Sequence, residues 1–126
     1  MDDNVISSYR DLRVWQDAMT LAAACYDATK GLPKEEMFGM SAQIRRAAAS
    51  IPANIAEGHG REQTQPFIQF LRVAQGSLKE LETHLLLAQR VQLLNAGAVA
   101  PLLSDCDVLG RRLRAYIRSL QERSAG

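Results

Sequence analysis

Gln43-Ile44-Arg45-Arg46-Ala47-Ala48-Ala49-Ser50-Ile51-Pro52-Ala53-Asn54-Ile55-Ala56-Glu57-Gly58 is the stretch on which the fold turns. Ile44, Ala48, Ile51 and Ile55 recur at steps of four, three and four, which places them on one helical face. A second stripe, Arg46, Ser50, Ala53, Asn54 and Glu57, runs on the other side. Alanines fill most of the remainder, so a neighbouring helix can come close. Pro52 lies mid-stretch, where its ring opposes the carbonyl of Ala48 and it donates no hydrogen bond. That costs about 3 kcal/mol or more inside a helix. The expectation is a helix kinked or broken between Ala48 and Asn54. Gly58 and Gly60 then read as its end.

Outward from this stretch, the other segments show the same 3.6-residue period. Before it, Trp15, Met19, Ala22 and Tyr26 form one apolar row, and Val14, Ala18, Leu21 and Cys25 a second beside it. Together they are wider than the roughly 100° stripe that a surface helix needs. The sequence leaves open which row faces the core. After it, Phe67, Phe70/Leu71, Ala74, Leu78, Leu81, Leu85 and Ala88 repeat at three and four, with Thr64 as N-cap and Pro66 in the first turn. Leu102, Cys106, Leu109, Leu113, Tyr116 and Leu120 form a heptad-like seam. No segment alternates with period two. The reading is an all-α, up-down-up-down four-helix bundle with helices near residues 11–30, 40–58, 64–92 and 98–122. Residues 1–10 read as a loose or tucked arm, and 1–126 as one domain. Folding the second and third helices evenly about their turn sets Ala47 and Ala48 opposite Ala74 and Ile51 opposite Phe70. Gly76 then falls near Ile44 and Arg45, where a close backbone approach would account for it.

Of the 126 residues, 47% are hydrophobic and 23% charged, which is globular rather than disordered composition. The formal net charge of +1 decides nothing about nucleic acid, so the distribution of charge must. The N-terminus is acidic and lacks an apolar signal-peptide core, and no apolar run is long enough to span a membrane. The expectation is a cytoplasmic protein. Cys25 and Cys106 each fall on an apolar face and read as free buried thiols in preference to a disulfide.

No constellation points to catalysis, to a cofactor or to a metal. His59 stands alone in a turn. His84 follows Glu80 by four, not the three of bundle di-metal sites, and there is no second copy. Gly58-x-Gly60 lacks the strand and third glycine of a nucleotide fingerprint. No small-molecule substrate is evident. Glu57 at a helix C-terminus opposes the macrodipole and calls for a cation such as Arg46, Arg61 or an arginine of another subunit. In the last helix, Arg111, Arg114 and Arg118 share one face. Arginines so spaced reach successive phosphates without base specificity. The plainer reading is a solvated cationic face answering Asp2, Asp3 or Asp11.

Ser50-Ile51-Pro52-Ala53-Asn54-Ile55-Ala56-Glu57-Gly58 resembles the core motif of the bacterial "four helix bundle protein" family, which includes proteins encoded within intervening sequences of large-subunit ribosomal RNA genes. It is similar also to the accessory protein of diversity-generating retroelements. Asp11-Leu12 with Val14-Trp15-Gln16, Leu32-Pro33 with Glu35-Glu36, Phe70-Leu71, and Gly76-Ser77 with Glu80-Leu81-Glu82 extend the likeness over residues 11–92. Phe38 and Met40 depart from it, standing where the family more often has Tyr and Leu. The resemblance implies no enzymatic reaction. It implies structured RNA, or an RNA-handling enzyme, as partner, and assembly of copies into a cyclic pentamer closed head to tail. Self-association is also expected from the surplus apolar row of the first helix. The contact is placed on Val14, Leu21 and Cys25 with the stripe Arg46, Ser50, Asn54 and Glu57. The alternative is a purely structural homo-oligomer whose arginines bridge subunits.

Overall fold

In the computed structural model, which describes residues 7–125, the apolar repeats close into four helices: α1 Arg13–Thr29, α2 Met40–His59, α3 Thr64–Arg90 and α4 Ala96–Ala125. Each packs on its sequence neighbours and α4 closes back on α1, while the diagonal pairs stay apart. This is the antiparallel four-helix bundle that the periodicity predicts. No strand occurs among the described residues.

Local chemistry sets the ends. Ser7–Asp11 belong to an ordered lead-in rather than a loose arm; residues 1–6 lie outside the described part. Ser8 caps a 3-10 turn, Tyr9–Asp11, and the Asp11 carboxylate accepts from the Ser8 backbone in return. A second 3-10 turn, Lys34–Glu36, follows Pro33. Gln63, not Thr64, is the N-cap of α3. The α3 C-terminus closes as a Schellman motif: Leu93 N–H donates to Ala88 O at 2.9 Å and Gln92 N–H to Gln89 O at 3.0 Å. Gln92 takes the left-handed conformation, φ 67°, that glycine usually supplies there. Asn95 caps α4 by accepting from Ala98 N–H at 2.8 Å.

Pro52 does not divide α2, which runs as one helix from Met40 to His59. Gly58 does not end it either. It lies buried inside the last turn, where an added Cβ would stand 2.5 Å from Phe70 Cβ and 3.0 Å from Phe67 Cδ1. Phe67 and Phe70 close over this glycine and fix the register of α2 against α3. Together with the Arg46–Glu80 pair, this sets Ala74 level with Pro52–Asn54, between one and two turns away from the even folding about the loop expected above. Gly76 is not a close-approach site, since a Cβ there would meet open space. Gly76→Ala should therefore stabilise the fold by about 0.5–1 kcal/mol through helix propensity alone. A denaturant midpoint that falls would contradict that.

The core is a single apolar cluster through all four helices. Its α4 seam uses Ile117 where the heptad reading has Tyr116, which is only half-buried. Cys25 and Cys106 are free, buried core residues. Burial pushes their thiols up to about 11 and about 12, so neither is a thiolate nucleophile near neutral pH.

Candidate functional site

The two apolar rows of α1 have different fates. Val14, Ala18, Leu21 and Cys25 are buried in the chain's own core. Val14, Leu21 and Cys25 therefore cannot form the contact assigned to them from sequence. Helices α2 and α4 both flank α1, and that row points between them. The other row turns partly outward: Ala22 is buried and Trp15 half-buried, while Met19 and Tyr26 keep 45% and 42% of their surface exposed. With Ala49, Pro52, Ala53 and Ala56 of α2 they line an open apolar groove of about 440 Å³. Its floor is shallow because α2 contributes small residues. Tyr9 also lines the groove and packs edge-on against Trp15 at 5.3 Å. Two guanidinium groups sit on its tyrosines, Arg10 over Tyr9 at 5.6 Å and Arg45 over Tyr26 at 5.0 Å. Arg45 also donates to Thr29 Oγ1 at 2.8 Å.

The polar stripe of α2 is largely satisfied within the chain. Arg46 donates to Glu80 of α3 at 2.8 Å and to Gln43. Ser50 donates to Ala47 O at 2.9 Å, Asn54 to Ser50 O at 2.7 Å, and Glu57 faces Arg61 at 3.5 Å. Glu80 also meets His84 at 3.1 Å. The His84 hydrogen bond first, and Arg46 second, hold the Glu80 carboxyl below its usual range. A depressed folded value contributes stability above the unfolded pKa and loses it as pH falls through the folded one. Glu80→Gln should therefore lower the urea midpoint more near neutral pH than at about pH 3. The effect is modest because the pair is partly exposed to solvent. An equal loss at both pH values would contradict this.

The arginines of α4 divide. Arg111 is taken by Asp107 one turn earlier, and Arg112 reaches Asp17 of α1 at 2.5 Å. Asp11, offered above as an answering acid, caps the lead-in turn instead. Arg114 and Arg118 make no ion pair among the described residues. Arg114 overhangs a cleft of about 290 Å³ lined by Gln75, Gly76, Leu78, Lys79 and Gly110. Gln65 of α3 donates to Ser124 of α4 at 3.2 Å, and the antiparallel register this sets brings exposed Arg72 level with Ile117 and Arg118. Arg72 escapes a reading made one helix at a time; only the α3–α4 register joins it to this edge.

Among the described residues, no group of three or more His, Cys, Asp or Glu is placed to hold a metal. His59 packs edge-on against Phe67 at 5.6 Å. No helix of the described residues is long and apolar enough to cross a membrane.

Among the described residues, fold and surface together define an antiparallel helical bundle with an open apolar groove on one side and arginines without ion pairs on another. The chain belongs to the 23S rRNA-intervening sequence protein family, whose profile matches residues 10–115 and so reaches past residue 92, where the motif reading stops. A crystal structure described as a protein of unknown function from the S23 ribosomal protein family of Bacteroides thetaiotaomicron is similar. It shares 25% identity over 82% of this chain and 97% of that one, with a TM-score of 0.73. No curated protein matches the chain.

Proposed function

We propose that the protein is a non-catalytic, cytoplasmic scaffold that assembles with copies of itself and presents its arginines to the phosphates of structured RNA. The observation that carries this reading is the open α1–α2 groove. Trp15, Met19 and Tyr26 over Ala49, Pro52 and Ala53 make a contiguous apolar surface outside the core. Such surfaces on soluble chains mark interfaces. Covering it releases about 25 cal/mol per Å² buried. A head-to-tail contact that closes gives a ring, and the family resemblance favours a cyclic pentamer.

RNA binding rests on Arg114 and Arg118, which lack ion pairs among the described residues, with Arg72 beside them. Three phosphate contacts predict a fall in affinity for an RNA hairpin of about 40-fold between 50 and 200 mM salt. Changing Arg72, Arg114 and Arg118 to Gln should remove binding and leave assembly intact. Arg111→Gln alone should change little, because Asp107 already occupies that guanidinium. Wild-type protein that fails to retard the hairpin at low salt would end the RNA reading. Loss of assembly in the triple variant would favour the alternative, a structural oligomer whose arginines bridge subunits.

A further inference from the structure

We infer that the occupant of the α1–α2 groove is the Glu35-Glu36-Met37-Phe38 turn of a neighbouring copy, with Phe38 as the inserted side chain. This rests on the self-assembly proposed above and names the segment that makes the contact.

Phe38 is 90% exposed and Met37 55% exposed, side by side on the α1–α2 connection. Such a pair on a floppy loop would mean little. This turn is hydrogen-bonded at almost every step. Glu36 N–H donates to Pro33 O at 2.9 Å, Met37 N–H to Lys34 O at 3.0 Å, and Gly39 N–H to Glu36 O at 3.0 Å. The Glu36 carboxylate then accepts from Met40 N–H at 3.0 Å, which ties the turn to the start of α2. Gly39 makes that tie sterically open, since a Cβ there would lie 2.9 Å from Glu36 Oε1. The ordered backbone therefore presents the aromatic ring to water from a fixed position. A rigid aromatic anchor that loses little entropy on docking is the kind of residue that dominates interfaces.

The groove has the matching chemistry. It is apolar, open, and floored by small residues of α2, so a flat ring can lie against Pro52 and Ala53 between Met19 and Tyr26. Charge matches as well. Arg10 and Arg45 lie on the groove's tyrosines and make no ion pair among the described residues. Glu35, next to the apolar pair, is exposed and likewise lacks a described cation. An acidic shoulder thus accompanies the ring toward a groove rimmed by arginine. Turn and groove are different surfaces of one chain, so the contact can repeat head-to-tail from copy to copy.

The test mixes two damaged chains. Phe38 and Ala53 are both exposed, so Phe38→Glu and Ala53→Glu leave the protomer folded, which circular dichroism confirms. Each variant alone should run as a monomer by light scattering. Mixed, they should form a species of two chains and nothing larger, because one intact turn meets one intact groove and neither remaining end can extend it. Phe38→Ala should weaken wild-type assembly by about 30-fold or more. If Phe38→Glu assembles like wild type, or if the mixture stays monomeric, this assignment is overturned while self-assembly stands. A monomeric wild type would remove both.

Discussion

Gly58→Ala should lower the stability of the protein by about 1–3 kcal/mol, although alanine is the better helix former. The two contributions have opposite signs. Propensity favours alanine by about 1 kcal/mol. Against it, the new methyl would sit 2.5 Å from Phe70 Cβ and 3.0 Å from Phe67 Cδ1. Neither neighbour is the free end of a flexible side chain. Relief requires α2 and α3 to separate at the point that sets their register, and overpacking of this kind costs about 1–3 kcal/mol beyond any propensity gain. Gly76→Ala, in the open, moves the other way. Urea unfolding of the two variants side by side is the check, and a stabilised Gly58→Ala would show that the α2–α3 contact is looser than described.

Ala49→Glu should abolish assembly and leave the protomer's own stability within about 0.5 kcal/mol of wild type. Ala49 is exposed in the protomer, yet it lines the groove between α1 and α2. A carboxylate there is hydrated while the groove is open and must be stripped of water when a partner covers it. An uncompensated buried charge costs several kcal/mol, which corresponds to at least about 100-fold in the association constant. Light scattering reads the first effect and thermal unfolding of the dilute protein the second. A variant that assembles normally would show that this face stays open to water.

Four helices are legible because each carries its apolar residues at helical spacing, and Pro33, Pro66 and Pro101 with the glycines near the connections mark the joins. What lies between helices is not legible in the same way. The two rows of α1 are equally apolar, so periodicity cannot say which one turns inward. The choice follows from α2 and α4 flanking Leu21 and Cys25, which is a property of the assembled bundle. Gly58 looks like a helix stop because glycine is common there. Its real constraint is Phe70, twelve residues on and across a turn. Asp107, one turn before Arg111, was readable by simple i, i+4 spacing and lowers the weight of that arginine in any phosphate site. The pairing of Arg112 with Asp17, 95 residues apart, was not. The exposed ring of Phe38 is invisible to pattern reading, since an isolated aromatic in a turn has no period to break.

If another copy of the chain covers the α1–α2 groove, the protein cannot be a monomer in solution. The direct measurement is the mass of the wild-type protein in solution by light scattering at micromolar concentration. The expected mass is a closed multiple of the 13.9 kDa chain, a pentamer by family resemblance, with a dimer keeping the interface but refuting the ring. A stable mass of 13.9 kDa across the whole micromolar range would contradict it.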